Sequence, residues 1–230
     1  MFTPIEVEFL RSAYGMSLEE LVMAHEPVRR TYLPAHRRDR RGDDDDGNVS
    51  VPAPEDAPLQ KLGIPKELWR LTDALWSGKA LQEKDLFQAV ADPVEVSAIR
   101  EAIDCGVDFP PNCSPHAYVE ALYSLLAALP KPLLPPDLYP ATEVDEATHR
   151  QACKRFLDAL PPLSYNVFVY MISFLREVLA QQGYNRTSAD KLALVCLGCM
   201  TPPAEEGRVD ERRISALREL LTVLLTASSL

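Results

Sequence analysis

Residues 122–134 read LYSLLAALPKPLL, an apolar stretch that two prolines interrupt. Leucine and alanine favour a helix interior, whereas proline lacks an amide hydrogen and ends a helix. The leucines at 122, 125, 126 and 129 follow helical spacing, and Ser114-Pro115 upstream is a typical helix start. The stretch therefore predicts a largely buried helix that stops abruptly at Pro130.

From Ile64 onward the chain shows the same helical periodicity repeatedly. The expected helix starts are Pro65, Pro93, Ser114, a point near Asp145, Ser164, Ser188 and Asp210. Gly183 is expected to end the helix that begins at Ser164. Because no alternating strand pattern occurs in this span, residues 61–230 are predicted to form an all-α bundle with short connections.

The first sixty residues have a different organisation. Residues 4–10 alternate apolar and acidic side chains like a strand, and Ser17 to Glu20 form a capping box that opens a helix through about Ala24. Such a strand pairs either with something outside this chain or with the helical domain. These patterns predict a strand-helix segment over 1–33.

Residues 34–60 are rich in proline and charge, with a basic block at 37–41 and an acidic block at 43–46. So few apolar side chains cannot offset the entropy of ordering, so this segment is predicted to be a flexible, disordered linker. A nuclear localisation signal and a metal-binding acidic run are the alternatives.

Composition excludes several classes of function. The 230 residues are 47% hydrophobic and carry a formal charge of −10, which suits a globular protein and argues against nucleic-acid binding. The longest apolar run, 192–200, is far shorter than the roughly 20 residues of a membrane span. The N-terminus lacks a signal-peptide pattern, so a cytoplasmic location is expected.

Side chains that carry chemistry are scattered. The histidines at 25, 36, 116 and 149 lack metal-ligand spacing, and the five cysteines are expected to be free thiols. Cys196 and Cys199 form a CxxC within an apolar helical segment, which favours a pair of core residues over a zinc or redox site. Since conventional nucleotide, hydrolase and metalloprotease motifs are absent too, no cofactor and no metal are predicted.

Three stretches resemble the RhoGAP domain in the right order and spacing. Residues 122–134 are similar to L-K-x-[FY]-L-R-E-L-P-x-P-L-[LI], residues 96–106 to V-x-x-L-R-x-x-x-D-x-G, and residues 184–193 to the helix start N-K-M-x-x-x-N-L-A. The resemblance implies a RhoGAP-type helical bundle. It also implies that the Leu-Pro-x-Pro-Leu run ends a helix behind the GTPase-facing surface and sends the chain across the bundle.

The same resemblance implies a change in mechanism. An active RhoGAP inserts an arginine from a G-[IV]-[FY]-R-x-S-G loop, which here reads DLFQAVA over 85–91, so Gln88 stands at the arginine position. The family's lysine, arginine and asparagine elsewhere in the site are replaced by Tyr123, Ala127 and Lys191. The GTPase-facing candidates are Phe87, Gln88, Tyr123 and Lys191, and these substitutions predict that GTPase activation is lost. The alternative is a weak activator that takes its cation from Lys84 or Arg100.

A further resemblance is to the C-terminal part of the type II inositol polyphosphate 5-phosphatases, the Lowe-syndrome group. It rests on IPKELWRL at 64–71, DLFQ at 85–88, NVFVY at 166–170 and FLRE at 174–177. That group also has glutamine at the arginine position. Residues 9–21 are similar to the last strand and connecting helix of its ASH domain. The phosphatase domain has no counterpart in these residues, so no lipid-phosphatase activity is implied.

These resemblances imply a non-catalytic interaction module in GTPase signalling and endocytic membrane traffic. Its implied partners are GTP-bound Rho-family GTPases and helical adaptor peptides with phenylalanine and histidine anchors, which would recruit it to endosomal or Golgi membranes. The peptide-groove candidates are Ala121, Leu122 and Leu125, of which Leu125 is expected to be partly exposed because the leucine stripe is wider than one-sided packing requires. A monomer is expected, and a purely structural remnant remains an alternative.

Overall fold

The computed structural model describes residues 12–24, 63–77, 79–141, 149–202 and 210–227, and within these ranges every regular element is helical. In chain order they are α1 Leu18–Ala24, α2 Lys66–Trp76, α3 Pro93–Asp104, α4 Pro115–Ala127, α5 His149–Ala159, α6 Pro162–Ala180, α7 Gln182–Asn185, α8 Ala189–Met200 and α9 Glu211–Thr226, with short 3-10 turns at Ala80–Gln82 and Pro136–Leu138. The all-α bundle is confirmed. The predicted strand at 4–10 and linker at 34–60 lie outside the described residues.

Side-chain caps start five of these helices. Asp92 accepts from the Val94 amide at 2.9 Å at the start of α3, and the hydroxyl of Ser114 accepts from the Ala117 amide at 3.3 Å at the start of α4. Ser188 and Asp210 cap α8 and α9 in the same way. These bonds satisfy amides that have no partner within their own helix, which is why polar residues there mark the helix starts.

The capping box predicted for α1 is confirmed. The Ser17 amide donates to the Glu20 carboxylate at 2.8 Å, and the Glu20 amide donates to the Ser17 hydroxyl at 3.2 Å.

The prediction that Gly183 ends a helix is wrong. The long helix α6 stops at Ala180, Gly183 lies inside the short helix α7, and Arg186 takes the left-handed C-cap conformation with φ 59°.

Helix α4 lies at the centre of the bundle, where it packs against α2, α3 and α8. After it ends, the chain crosses the bundle through Leu133 and Leu134, both fully buried. The Leu134 amide donates to the carbonyl of Met200 at 2.7 Å, at the end of α8. The crossing segment therefore ties the end of α4 to the end of α8.

A second set of bonds fixes the end of this crossing segment. The guanidinium of Arg213 on α9 donates to the carbonyls of Pro136 and Tyr139, each at 2.8 Å, and the Tyr139 hydroxyl donates to the Leu134 carbonyl at 3.2 Å. Proline-rich chain offers few amide donors, and here side-chain donors add to the two backbone bonds that the carbonyls of Pro135 and Pro136 accept.

The N-terminal segment 12–24 packs against the bundle. Ala13, Leu18 and Leu21 are buried in the common core. The Ser12 hydroxyl donates to both oxygens of the Asp104 carboxylate at 3.1 and 2.9 Å, and the Ala13 amide donates to one of them at 2.8 Å. This segment therefore contributes apolar and polar contacts to the end of α3.

Candidate functional site

Residues 85–91, here called the finger loop, connect α2 to α3 and carry Gln88. Asp85 has the left-handed φ of 55°, and its carbonyl accepts from the amides of Gln88 at 2.8 Å and Ala89 at 3.0 Å. Leu86 is buried, whereas Gln88, Ala89 and Val90 are exposed. The finger loop is thus a closed turn that presents the Gln88 side chain to solvent.

A buried asparagine holds the base of the finger loop. The amide nitrogen of Asn185 donates to the carbonyls of Leu81 at 2.9 Å and Val178 at 2.8 Å, and its oxygen accepts from the Thr187 amide at 2.9 Å. Its own backbone carbonyl accepts from the Asp85 amide at 3.0 Å. Asn185 is a positioning residue. The RhoGAP pattern matched it as the asparagine that opens N-K-M-x-x-x-N-L-A, but no role was predicted for it.

His116 on α4 gives the finger loop a further contact. Its Nδ1 lies 3.4 Å from the Leu86 carbonyl, and its Nε2 lies 4.0 Å from the Glu83 carboxylate. The ring therefore bridges α4 and the chain on either side of Asp85, and it has no metal-binding partner in this arrangement: the described residues contain no cluster of three or more His, Cys, Asp or Glu that could hold a metal ion.

The structure brings two of the four GTPase-facing candidates together. Phe87 and Tyr123 are half-buried and line one small cavity between the finger loop, α4 and α8. Gln88 lines a larger cleft on the other side of Phe87. Lys191 lines neither cavity, and its ammonium donates to the carbonyl of Arg186 at 3.1 Å.

Tyr123 is packed closely against α8. A Cβ atom at Gly198 would lie 2.5 Å from the Tyr123 hydroxyl, so only glycine fits beneath this ring. Burial raises the pKa of Tyr123, with further contributions from Cys199 and Glu120. The phenol is therefore neutral at physiological pH. Where the resemblance implied a lysine in active relatives, this protein has an uncharged group.

The partial exposure predicted for Leu125 is wrong. Leu125 exposes 2% of its surface, and the other groove candidates, Ala121 and Leu122, expose 0% and 2%. The leucine stripe is wide because α4 is packed on several sides, and not because one edge faces solvent. A peptide cannot contact these three side chains in the folded protein.

An open cleft of about 900 Å³ lies between the finger loop, α3 and α4. The following residues line this finger-loop cleft: Phe87, Gln88, Ala89, Val90, Ala91, Pro93, Val96, Ser97, Arg100, Glu101, Asp104, Glu120 and Ser124. Arg100 is the one cation among these described lining residues, and it stacks over the ring of Tyr14 with its guanidinium carbon 4.3 Å from the ring centre. Lys84, the other cation considered, is exposed and precedes the turn.

The CxxC pair is part of the core, as predicted. Cys196 and Cys199 are buried and unbonded, and burial raises the pKa of both thiols, that of Cys199 to about 12. Protonated thiols are weak ligands and weak nucleophiles. All five cysteines are free, as expected. Of the histidines, His116 and His149 are described, whereas positions 25 and 36 lie outside the described residues.

Helix α6 is long and apolar enough to cross a membrane by length and composition. Polar residues such as Ser164, Asn166 and Ser173 interrupt its apolar run. Seven of its side chains are buried against the bundle: Val167, Phe168, Met171, Ile172, Phe174, Leu175 and Val178. This pattern is that of a core helix.

Curated proteins similar to this chain include an inositol phosphatase and Rho GTPase-activating proteins. A type II inositol 1,4,5-trisphosphate 5-phosphatase of Mus musculus is 29% identical over 196 residues, which are 84% of this chain and 19% of that protein. Rho GTPase-activating protein 44 of Mus musculus is 28% identical over 151 residues, which are 63% of this chain and 19% of that protein. The chain spans about a fifth of the length of these relatives.

Solved structures support the same fold. Human Rho GTPase activating protein 15 is 17% identical with a TM-score of 0.58, and the match covers 72% of this chain and 82% of that one. The BH domain from Graf, the GTPase regulator associated with focal adhesion kinase, is 15% identical with a TM-score of 0.53, over 69% of this chain and 88% of that one.

The family model of the RhoGAP domain matches residues 65–205, more than half of the chain. The resemblance to RhoGAP domains and to the type II 5-phosphatases, derived above from residues 64–193, is confirmed. The chain belongs to the RhoGAP domain family.

Proposed function

We propose that this protein is a RhoGAP-fold interaction module that binds GTP-bound Rho-family GTPases without stimulating GTP hydrolysis. The observation that carries the proposal is Gln88, exposed on the closed turn of the finger loop. An arginine finger works by neutralising charge that develops on the transferred phosphoryl group, and its effect is roughly 10³ to 10⁵ in rate. A glutamine amide donates hydrogen bonds but carries no charge.

The surroundings of Gln88 do not replace that charge. The guanidinium of Arg100 lies on the Tyr14 ring, the ammonium of Lys191 is bonded to the Arg186 carbonyl, and Tyr123 is a neutral phenol. Three carboxylates line the finger-loop cleft beside it. A weak activator that uses Arg100 or Lys84 is therefore the less favoured alternative.

Binding by this face is supported by its exposed apolar side chains. Val90 exposes 96% of its surface and Val94 73%, on either side of the start of α3. Apolar side chains left in solvent beside a cleft are typical of interaction surfaces. The domain is proposed to span 61–230 behind a linker at 34–60, to act as a monomer in the cytoplasm, and to reach endosomal or Golgi membranes through its partners.

Adaptor-peptide binding is a second proposal, and the burial of Ala121, Leu122 and Leu125 moves it away from α4. Tyr165 and Val169 are exposed one turn apart on α6, with 40% and 36% of their surfaces in solvent. Residues four apart lie on the same side of a helix, so this pair forms a small apolar surface suited to an amphipathic peptide helix.

The test combines binding and hydrolysis. Pull-downs on a panel of GTP-loaded Rho and Rab GTPases should retain one or more Rho-family members, and single-turnover hydrolysis by a bound GTPase should change less than twofold. Acceleration of a hundredfold or more would contradict the proposal, as would binding to none of the GTPases.

Two matched variants separate the surfaces. Val90→Asp should weaken GTPase binding at least tenfold, whereas Val169→Asp on α6 should leave it unchanged. Both positions are exposed, so the circular dichroism spectrum and melting temperature of each variant are expected to match the parent. Equal losses from both variants would show that neither surface is specific.

A further inference from the structure

The side chains that line the finger-loop cleft are of two chemical kinds. Phe87, Val90 and Val96 are apolar. Glu101, Asp104 and Glu120 carry carboxylates, and among the described lining residues Arg100 carries the single guanidinium. The cleft that these side chains line has a volume of about 900 Å³.

The positive charge in the cleft is already engaged. The Arg100 guanidinium stacks on the ring of Tyr14, whose hydroxyl in turn donates to the carbonyl of Ala121 at 3.3 Å. Asp104 is engaged as well, because its carboxylate accepts from Ser12 and from the Ala13 amide.

Glu101 and Glu120 differ from these two residues. Both are exposed, and neither carboxylate makes a hydrogen bond or an ion pair within the part of the chain that the structure describes. The charge left uncommitted at the cleft is therefore negative. A phosphate or another anion placed there would meet like charges, whereas a cation would find two acceptors.

The apolar side chains in the cleft indicate which kind of cation would fit there. Lysine and arginine bury an aliphatic stem along apolar surface while the charged head stays at a polar edge. A stem in contact with Phe87, Val90 or Val96 would place its head in the same cleft as the carboxylates, with which ammonium or guanidinium groups form charge-assisted hydrogen bonds. A small metal ion would leave these apolar side chains uncovered.

We propose that the finger-loop cleft docks a lysine- or arginine-bearing segment of a protein partner, so that the partner supplies the cation and this domain supplies the carboxylates. We rest this on the proposed function, because the cleft borders Gln88 and the same face would contact a GTPase. The polarity is opposite to that of an arginine finger, in which the RhoGAP domain supplies the cation.

The experiment uses the full chain, labelled with ¹⁵N, and an acetylated peptide Gly-Leu-Arg-Leu-Arg-Gly as the probe. Titration should shift amide resonances of the finger loop and of the neighbouring turns of α3 and α4. A matched peptide with glutamate in place of arginine should produce no such shifts. Shifts confined to other helices, or equal shifts with the glutamate peptide, would overturn the proposal.

A matched pair of double variants tests the carboxylates. Glu101→Gln with Glu120→Gln should raise the peptide Kd at least tenfold, and Glu211→Gln with Glu219→Gln on α9 should change it less than twofold. Both doubles remove the same charge from exposed positions, so an equal loss in both would mean non-specific attraction to an acidic protein. Unchanged melting temperatures exclude unfolding as the cause.

Parallel GTPase pull-downs separate the two proposals. Peptide binding in the cleft without capture of any GTPase would overturn the proposed function and leave the cleft assignment standing. GTPase capture with no peptide shifts, and with equal capture by both double variants, would overturn the cleft assignment alone.

Discussion

Helix α4 and the finger loop line the same small cavity, yet different constraints act on them. Six side chains of α4 are buried in the core of the bundle, including Leu122, Leu125 and Leu126. In the finger loop only Leu86 is buried, and Gln88 stands in solvent on a turn closed by backbone bonds. Changing a buried leucine costs stability, whereas changing an exposed turn residue alters chemistry with little effect on folding. The buried residues of α4 therefore keep the sequence pattern of the family. A substitution in the finger loop that abolished catalysis would leave the fold intact.

Leu125→Asp is the severest test of this difference. A carboxylate at a position that is 2% exposed must be desolvated without a partner, so we expect a loss of more than about 4 kcal/mol and no folded protein at 37 °C. Thermal unfolding followed by circular dichroism measures it.

The control is the same substitution at Leu194 on α8, which is 50% exposed and should cost less than about 1 kcal/mol. If Leu125→Asp folded with an unchanged melting temperature, Leu125 would not be buried. A peptide groove on α4 would then again be a reasonable hypothesis.

Asn185→Ala should have the next largest effect, because it leaves the Leu81 and Val178 carbonyls and the Thr187 amide without their partner. We expect a loss of roughly 2–4 kcal/mol, which corresponds to a fall of about 5–15 °C in melting temperature. Hydrogen exchange at the Asp85 amide should also accelerate, since that amide is bonded to the Asn185 carbonyl.

Asn166→Ala on α6 provides the matched control, because it removes an asparagine that is not buried. Equal destabilisation by both variants would show that Asn185 does not anchor the finger loop in particular.

Gln88→Arg tests the finger loop, the exposed region of the two. Because Gln88 is exposed, the variant should keep the parent's melting temperature within a degree or two. Single-turnover hydrolysis by a bound GTPase should rise less than about tenfold, well below the 10³ to 10⁵ of a complete arginine finger. The physical reason is that Tyr123, Ala127 and Lys191 stand where the family pattern has a lysine, an arginine and an asparagine, so the other polar groups of an active site would still be missing. A rise of a thousandfold would show that this one residue alone separates the domain from an activator.

The smallest expected effect concerns Glu95, whose carboxylate accepts from the Ser114 hydroxyl at 2.5 Å and the Ser114 amide at 2.9 Å at the start of α4. These bonds lower the pKa of Glu95 below its ordinary value of 4.5. A lowered pKa in the folded state stabilises the protein above pH 4.5, and the stabilisation is lost as the pH falls through the lowered value.

Glu95→Gln should therefore be slightly less stable than the parent at pH 7, and the difference should shrink below pH 4. Urea denaturation at both pH values measures it, with Glu101→Gln as a control on the same helix. A difference that grew on acidification would contradict the assignment.

Local signals predicted most of the fold. Ser17, Ser114 and Ser188 marked helix starts because capping is decided within a few residues. The failures involve tertiary contacts. Leu125 was misplaced because the number of helices around α4 is not encoded in α4 itself.

The candidate site was predictable only as far as the family pattern reached. That pattern named Phe87, Gln88 and Tyr123 as GTPase-facing candidates. In the structure Gln88 is exposed, and Tyr123 and Phe87 line one cavity. It matched Asn185 to an asparagine of the family but did not reveal its role, because its bond to Leu81 spans 104 positions in the sequence. The stacking of Arg100 on Tyr14 was equally hidden, because Tyr14 lies outside the family motifs.

The docking of residues 12–24 bears on how the domain can be dissected. The family model begins at residue 65, but Ala13, Leu18 and Leu21 are part of the same core as α4. A truncation at residue 65 would uncover apolar surface and remove the partners of Asp104 and Arg100. The cooperative folding unit is thus larger than the homology domain, and fragments cut at the homology boundary are expected to aggregate even though every RhoGAP motif is retained.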